Sequence, residues 1–257
     1  MLIYLAAFVL IKVTNLYQTV FGFSAVCGII MIFVWLKSCP RVEIVKAEPI
    51  SDGNENAKTN KISFPIVFFF IMLAVVLQGM LRDGVTTWMP TYIDEVYKLG
   101  DSAILSGVIL PVFSIICISV TSWLYKKIPN PVTCSLIMFA IGAVASLILI
   151  LVPSNNAVIS MVLMAVLTGA MHGVNFMLIC MVPPVFAKTG KVSFVSGLLN
   201  SCTYVGSAIF TYGIALLSDT LGWSFTLITW LIISAVGGLI CLLCIKPWKK
   251  QQDLAGF

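Results

Sequence analysis

Charged residues are scarce in this sequence: 10% of its 257 residues are Asp, Glu, Lys or Arg, compared with about 25% in a typical soluble domain. With 60% hydrophobic residues, one interior could not enclose all of the apolar side chains. The scarcity of charge therefore excludes a soluble globular protein and predicts an all-α integral membrane protein. The formal net charge of +5 does not indicate a nucleic-acid partner, because the basic residues form short clusters between apolar runs, as membrane topology requires.

Motifs of catalysis and of metal binding are also missing. The sequence has no phosphate-binding glycine loop, no pair of carboxylates within one span and no supported Ser/His/Asp set. Seven of the eight cysteines lie in apolar runs, where cysteine behaves as a small hydrophobic residue. Cys241 and Cys244 form a C-x-x-C pair, but structural zinc sites use four ligands and the sequence places neither a histidine nor a second cysteine pair nearby. We therefore expect no enzymatic activity, no cofactor and no metal.

Apolar runs long enough to cross a bilayer are abundant. A spanning helix needs about 20 mostly apolar residues. Seven runs meet that length, at residues 16–36, 62–93, 102–124, 132–152, 157–182, 192–217 and 224–245. Residues 1–11 are apolar too, but they cover only about 17 Å as a helix, and no positive charge precedes them as in a signal peptide. We interpret them as the end of a further helix and expect the chain to be the C-terminal part of a longer protein.

Residues 37–61 are polar, and the run from Ser51 to Asn56 is typical of a flexible linker. We therefore predict four segments: the end of an N-terminal bundle (1–36), a cytoplasmic linker (37–61), a six-helix bundle (62–245) and a cytoplasmic tail (246–257). The orientation follows from the positive-inside rule. Twelve Lys and Arg residues lie in the linker, the tail and the loops on their side, whereas only Lys12 and Lys98 lie in the opposite loops.

The second full span carries two charges, Arg82 and Asp83. Residues three and four apart share a helix face, so Gln78, Arg82 and Thr86 form one polar stripe with Asp83 beside it. A charge within a span is costly and indicates function. The alternative is that Arg82 extends to the lipid headgroups, although apolar residues continue after it as far as Ile93. Because adjacent side chains do not face each other on a helix, Asp83 is not an evident partner for Arg82.

Two later spans carry further polar stripes. His172, the single histidine, shares a face with Asn175 and is flanked by glycines in a G-x-x-x-G pattern, which permits close helix contact. His172 either hydrogen bonds between helices or lines the same cavity as Arg82. Asn200 and Tyr204 belong to a polar stripe along the sixth full span, where some hydroxyls would hydrogen bond to their own backbone.

The run LRDGVTTWMPTYI at residues 81–93 resembles the seventh helix of the organophosphate:phosphate antiporters, which are major facilitator transporters of glycerol phosphate and hexose phosphates. Their pattern there is L-R-x-G-V followed by W-x-P-T-Y. The run DTLGW at residues 219–223 resembles the D-x-x-G-W turn before the last helix of many facilitators. The resemblance covers the chain as the end of the fifth helix through the twelfth. It implies the C-terminal six-helix bundle of a major facilitator fold, plus the preceding helix and part of another.

The resemblance also implies roles for individual residues. In that family an arginine of the seventh helix pairs with one from the first helix to bind the substrate phosphate, and Arg82 matches it. His172 falls where the tenth helix presents a cavity-facing residue. Asp83 stands where glycerol-phosphate carriers have an aromatic residue, and Thr87 stands where they have an acid. An aspartate beside the arginine would weaken the field on a phosphate, or would serve proton coupling instead. The loop of Lys126 and Lys127 lacks the usual G-x-x-x-D-R signature.

We therefore expect a secondary active transporter of the bacterial plasma membrane, with several spans. It would move a small organic anion, either a phosphorylated sugar or glycerol phosphate, by alternating access. Its partners would be the substrate, the lipid bilayer and a missing N-terminal bundle, without which this chain should not transport. Asp83 is a candidate for coupling or pairing, and the candidate binding residues are Gln78, Arg82, Thr86, His172, Asn175, Asn200 and Tyr204.

Three alternatives remain at this point. One is a membrane sensor that binds a sugar phosphate without transporting it. Another is a facilitator for a different anionic metabolite. A seven-helix retinal receptor fits poorly, because the last span has no lysine for a Schiff base.

Overall fold

The computed structural model describes residues 2–14, 16–38, 66–99, 106–151 and 156–255, and these residues are almost entirely helical. A π-helical turn (Phe176–Met181) and a 3-10 helix (Pro183–Thr189) interrupt the α-helical path. The α-helices are α1 (Leu2–Thr14), α2 (Gln18–Ser38), α3 (Ile66–Tyr97), α4 (Ser106–Lys127), α5 (Pro131–Leu151), α6 (Ala157–Asn175), α7 (Val192–Leu221) and α8 (Trp223–Ala255). They form two units, one with α1 and α2 and the other with α3 to α8.

The first unit is a pair of apolar helices. At the end of α1 the Thr14 hydroxyl donates to the Leu10 carbonyl at 2.6 Å and lies 3.0 Å from the Thr19 hydroxyl. None of the residues of α2 is buried, and Phe33 and Trp35 are 70% and 69% exposed. Apolar side chains exposed to this extent need lipid or other helices around them. Apart from residues 37 and 38, the predicted linker lies outside the described residues.

Seven helical stretches of the described chain are long and apolar enough to cross a membrane. They are Gln18–Ser38, Ile66–Tyr97, Ile109–Lys127, Pro131–Leu151, Ala157–Ala187, Val192–Leu221 and Trp223–Leu254. Each overlaps one of the seven runs predicted from the sequence. The prediction of an all-α membrane protein with several spans is therefore confirmed.

Polar residues define where several helices begin and end. The Asn130 side chain accepts hydrogen bonds from the backbone N–H groups of Val132 and Thr133 at 3.0 and 3.2 Å, and so caps α5. The Asn156 side chain caps α6 in the same way by accepting from Val158 N. Gly222, between α7 and α8, has a φ of +80°, a conformation that favours glycine.

Several helix ends differ from the ranges predicted from hydropathy, and three of them concern the site or the bundle core. α3 continues past Ile93 to Tyr97. Beyond Asn175, the predicted fifth span continues as a π turn and a 3-10 helix. α8 continues to Ala255, so the residues predicted as a tail are mostly helical. The reason for this last difference is packing, since Trp248 is fully buried and its ring lies 6.5 Å from that of Phe186.

α3 is the central helix of the second unit and contacts α4, α6, α7 and α8. Its closest neighbour is α7, where two glycines meet carbonyl oxygens of the facing helix. A Cβ atom added to Gly79 would overlap the Thr203 carbonyl oxygen, and one added to Gly206 would overlap the Val76 carbonyl oxygen. Small residues allow membrane helices to approach in this way. The two contacts are reciprocal and hold α3 and α7 in a single register.

The G-x-x-x-G pattern of α6 contacts α4. A Cβ atom added to Gly169 would meet the Phe113 carbonyl and the Cys117 sulfur, and one added to Gly173 would meet the Thr121 hydroxyl. These contacts agree with the prediction of a close helix contact at these glycines. They also place the α6 face that bears the glycines against α4, which leaves His172 and Asn175 to face a different neighbour.

Candidate functional site

Arg82 and Asp83 form a bidentate ion pair in the middle of α3. Arg82 Nε donates to Asp83 Oδ1 at 2.6 Å, and Arg82 Nη2 donates to Asp83 Oδ2 at 2.8 Å. Adjacent positions on a helix did not make Asp83 an evident partner for Arg82, but the structure pairs the two side chains. Their Cα–Cβ bonds point in different directions from the helix, but the long arginine side chain bends along the helix surface to reach Asp83. In an apolar interior, leaving either charge unpaired would cost far more than this bending.

A third hydrogen bond joins the arginine to α6. Arg82 Nη1 donates to Asn175 Oδ1 at 3.1 Å. The guanidinium has five N–H groups, and the described residues use three of them. The two others are free for a ligand. The Arg82 side chain is 13% exposed and that of Asp83 is 29% exposed, so the pair lies inside the bundle but remains accessible from one side.

The arginine is therefore held within the bundle by Asp83 and Asn175. The alternative reading, in which Arg82 extends freely to the headgroups, does not fit this geometry. Predicting the position from the sequence was possible because apolar residues continue on both sides of Arg82. Predicting its partners was not, since they depend on side-chain conformation and on the rotation of α6.

Gln78 connects the same two helices one turn before Arg82. It is fully buried, and its Nε2 donates to the Met171 carbonyl of α6 at 3.2 Å. Its Oε1 is buried without a hydrogen-bond partner among the described residues. Gln78 and Arg82 thus bridge α3 and α6 at two successive turns, and Gln78 acts in this structure as a link between helices.

Thr86 and His172 lie close to the pair but differ in their contacts. The Thr86 hydroxyl donates to the Arg82 carbonyl at 2.6 Å, which satisfies it within its own helix. His172 lies in α6, and no described residue forms a hydrogen bond with its ring. The hydrogen bond between helices that one alternative requires does not form with the described residues, and a place for His172 in the cavity of Arg82 stays a prediction.

Asn200 and Tyr204 lie on the exposed side of α7. Tyr204 is 60% exposed, and no described residue hydrogen bonds to either side chain. The structure does not bring them into contact with Arg82, so their role in binding stays a prediction. Instead, Ser207 of α7 lies beside Asp83. Ser207 belongs to the same polar stripe, and its position relative to Asp83 follows from the crossing of α3 and α7 at Gly79.

The site combines a cation and an anion that neutralise each other, surrounded by amide, hydroxyl and imidazole groups. Among the described residues, His, Cys, Asp and Glu do not gather in threes as a metal site would require. A guanidinium with free donors is suited to binding carboxylate or phosphate. The fold and the site together define a helical membrane protein with several spans and an arginine–aspartate ion pair within one of them.

Comparison with known families agrees with this class. The profile of the Major Facilitator Superfamily matches residues 1–211. The chain belongs to the major facilitator superfamily, whose members are membrane transporters and not enzymes. No curated protein sequence matches the chain.

Proposed function

We propose that this protein is a secondary active transporter that moves a small organic anion by alternating access. The substrate class that we favour is a phosphorylated sugar or glycerol phosphate, exchanged for another anion as in the organophosphate:phosphate antiporters. The observation that carries the proposal is the Arg82 guanidinium, which is only 13% exposed, is fixed by Asp83 and Asn175 and retains two N–H donors.

The position of Arg82 supports this role. It lies in α3, the helix that contacts four other helices of the bundle. A binding group on such a helix is well placed to transmit a change in its contacts to its neighbours. Transporters of this kind bind their substrate near the middle of the membrane, between two rocking bundles.

Replacing Arg82 with Lys tests the proposal. Lysine keeps the charge but loses the planar fork that binds phosphate through two parallel hydrogen bonds. We expect the affinity for glucose 6-phosphate or glycerol 3-phosphate, measured by equilibrium dialysis on the protein in nanodiscs, to fall by about 10- to 100-fold. Arg41→Lys makes the same change in the predicted linker and should bind as the wild type does. Equal affinity in both variants would refute Arg82 as the anion anchor.

A flux measurement separates the transporter from the sensor. We expect cells that express the native gene to take up the labelled sugar phosphate and to lose this uptake with Arg82→Lys. Binding without uptake would favour the sensor. A third outcome is that the protein neither binds nor takes up the two phosphates and yet takes up another anion in a way that depends on Arg82. That result would favour a facilitator for a different metabolite.

A further inference from the structure

The charge balance of the site restricts the substrate further. Arg82 and Asp83 are held at bidentate distance, so the pair carries no net charge. His172 of α6 is the other titratable group acting on Asp83, and the remaining neighbours that the described helices place beside it are neutral, such as Ser207 of α7. An anion that enters this site therefore does not find an isolated cation.

An anion has two ways to reach the guanidinium. It can bind the two N–H groups that remain free, in which case its charge lies close to the Asp83 carboxylate and is repelled. It can also displace Asp83 from the side of Nε and Nη2. That displacement leaves a carboxylate without its partner inside the membrane, where an unpaired charge is strongly unfavourable. Either way, the described residues supply no permanent positive charge that would compensate the bound anion.

We propose that the substrate itself supplies this charge, as an amino-sugar phosphate or a similar zwitterion with a phosphate and an ammonium group. The phosphate binds the free N–H groups of Arg82, and the ammonium donates to the Asp83 carboxylate. This inference rests on the proposed function, since it concerns the same site and the same anion anchor.

The geometry of the pair fits two such contacts side by side. The carboxylate already accepts one hydrogen bond on each oxygen from Arg82, and each oxygen has a further lone pair. Asp83 is the more exposed of the two, at 29% against 13% for Arg82, so an ammonium group can reach it. A substrate bound in this way leaves the ion pair in place and adds one negative charge fewer to the site than a sugar phosphate that has no ammonium group.

Two sugars that differ in one group provide the test. Glucosamine 6-phosphate has an ammonium group where glucose 6-phosphate has a hydroxyl. We expect the protein in nanodiscs to bind glucosamine 6-phosphate about 10- to 100-fold more tightly, the ratio expected for a charge-assisted hydrogen bond. In Asp83→Asn, which keeps the shape and removes the charge, this ratio should fall to about one or reverse. Asp253→Asn, the same change near the C-terminal end of α8, should keep the wild-type ratio.

The other outcomes are distinct. If glucose 6-phosphate binds as tightly as glucosamine 6-phosphate and takes up a proton from the buffer, the missing charge comes from solution. That result overturns the proposal of a zwitterionic substrate but agrees with the proposed function. A preference for glucosamine 6-phosphate that persists in Asp83→Asn also overturns it, because the ammonium would then bind elsewhere. If neither sugar phosphate binds, the proposed function fails as well.

Discussion

A charged arginine within a membrane span is energetically unfavourable. The residues around Arg82 reduce that penalty without using all of its N–H donors. Asp83 compensates the charge through two hydrogen bonds, and Asn175 accepts a third. All three bonds involve different nitrogen atoms, so the guanidinium plane is fixed in direction. A binding group that is fixed before the ligand arrives loses less conformational entropy on binding.

Asn175 should therefore matter for binding although it can contact the substrate only through Arg82. In Asn175→Ala the guanidinium keeps its ion pair but loses its tie to α6. We expect the binding free energy of the anion to become less favourable by about 1 kcal/mol, the net contribution of one hydrogen bond. Equilibrium dialysis in nanodiscs measures this change.

Thr86→Val is the matched control for this variant. It also removes a polar group next to Arg82, but the Thr86 hydroxyl donates to a carbonyl of its own helix. We expect an unchanged affinity. A loss in Thr86→Val as large as that in Asn175→Ala would mean that the threonine contacts the ligand, as the sequence first indicated.

The sequence predicted part of this site for clear physical reasons. Arg82 was recognisable because a charge amid apolar residues needs an explanation. The direction of a side chain around its helix is harder to predict. Helical spacing placed Gln78 on the same stripe as Arg82, yet Gln78 is fully buried against α6. Tyr204, which was expected to line the cavity, lies on the exposed side of α7, and its role stays a prediction.

At the scale of helices, the crossing of α3 and α7 fixes the surroundings of Arg82. Gly79 and Gly206 each contact a backbone carbonyl of the facing helix. Replacing either with alanine would force the helices apart within two turns of Arg82. We expect Gly79→Ala and Gly206→Ala to destabilise the protein by about 1–3 kcal/mol, as overpacking of a core does, and to lower its midpoint of thermal unfolding in detergent.

Gly213→Ala on the same helix is the control. A Cβ atom there would lie 3.7 Å from the Phe210 ring, an ordinary contact, and alanine is the better helix former by about 1 kcal/mol. The midpoint of thermal unfolding of Gly213→Ala should equal or exceed that of the wild type. Similar midpoints for Gly206→Ala and Gly213→Ala would show that the close approach of α3 and α7 does not limit stability.

Hydropathy predicted the helices better than it predicted their ends. A run of about 20 apolar residues must form a helix in lipid, since each backbone group needs a hydrogen-bond partner. Where the helix stops depends on local contacts. α8 continues past Ile245 because Trp248 packs against Phe186. The π turn after Asn175 has no signal in composition, because it changes the hydrogen-bond pattern and not the residue types.

At the scale of the whole bundle, side chains at the end of α3 connect three helices. The Trp223 indole, at the start of α8, donates to Glu95 Oε2 at 2.7 Å, and its ring lies 5.1 Å from that of Tyr92. The Tyr97 hydroxyl lies 2.6 Å from the Ser160 hydroxyl of α6. The tryptophan of the D-x-x-G-W turn thus joins α8 to α3. Lys98, which follows α3, is one of only two basic residues assigned to the loops on this side of the membrane.

The unequal distribution of positive charge predicts how the protein sits in the membrane. Twelve Lys and Arg residues fall on the side of the linker and the C-terminus, which we therefore expect in the cytoplasm. Fusions to alkaline phosphatase, which is active only outside the cytoplasm, test this in a Gram-negative host. We expect activity for a fusion after Leu99 and none for fusions after Asn54 or Phe257. Active fusions after Asn54 or Phe257, together with an inactive fusion after Leu99, would indicate the opposite orientation. The distribution of positive charge would then not determine the orientation of this chain.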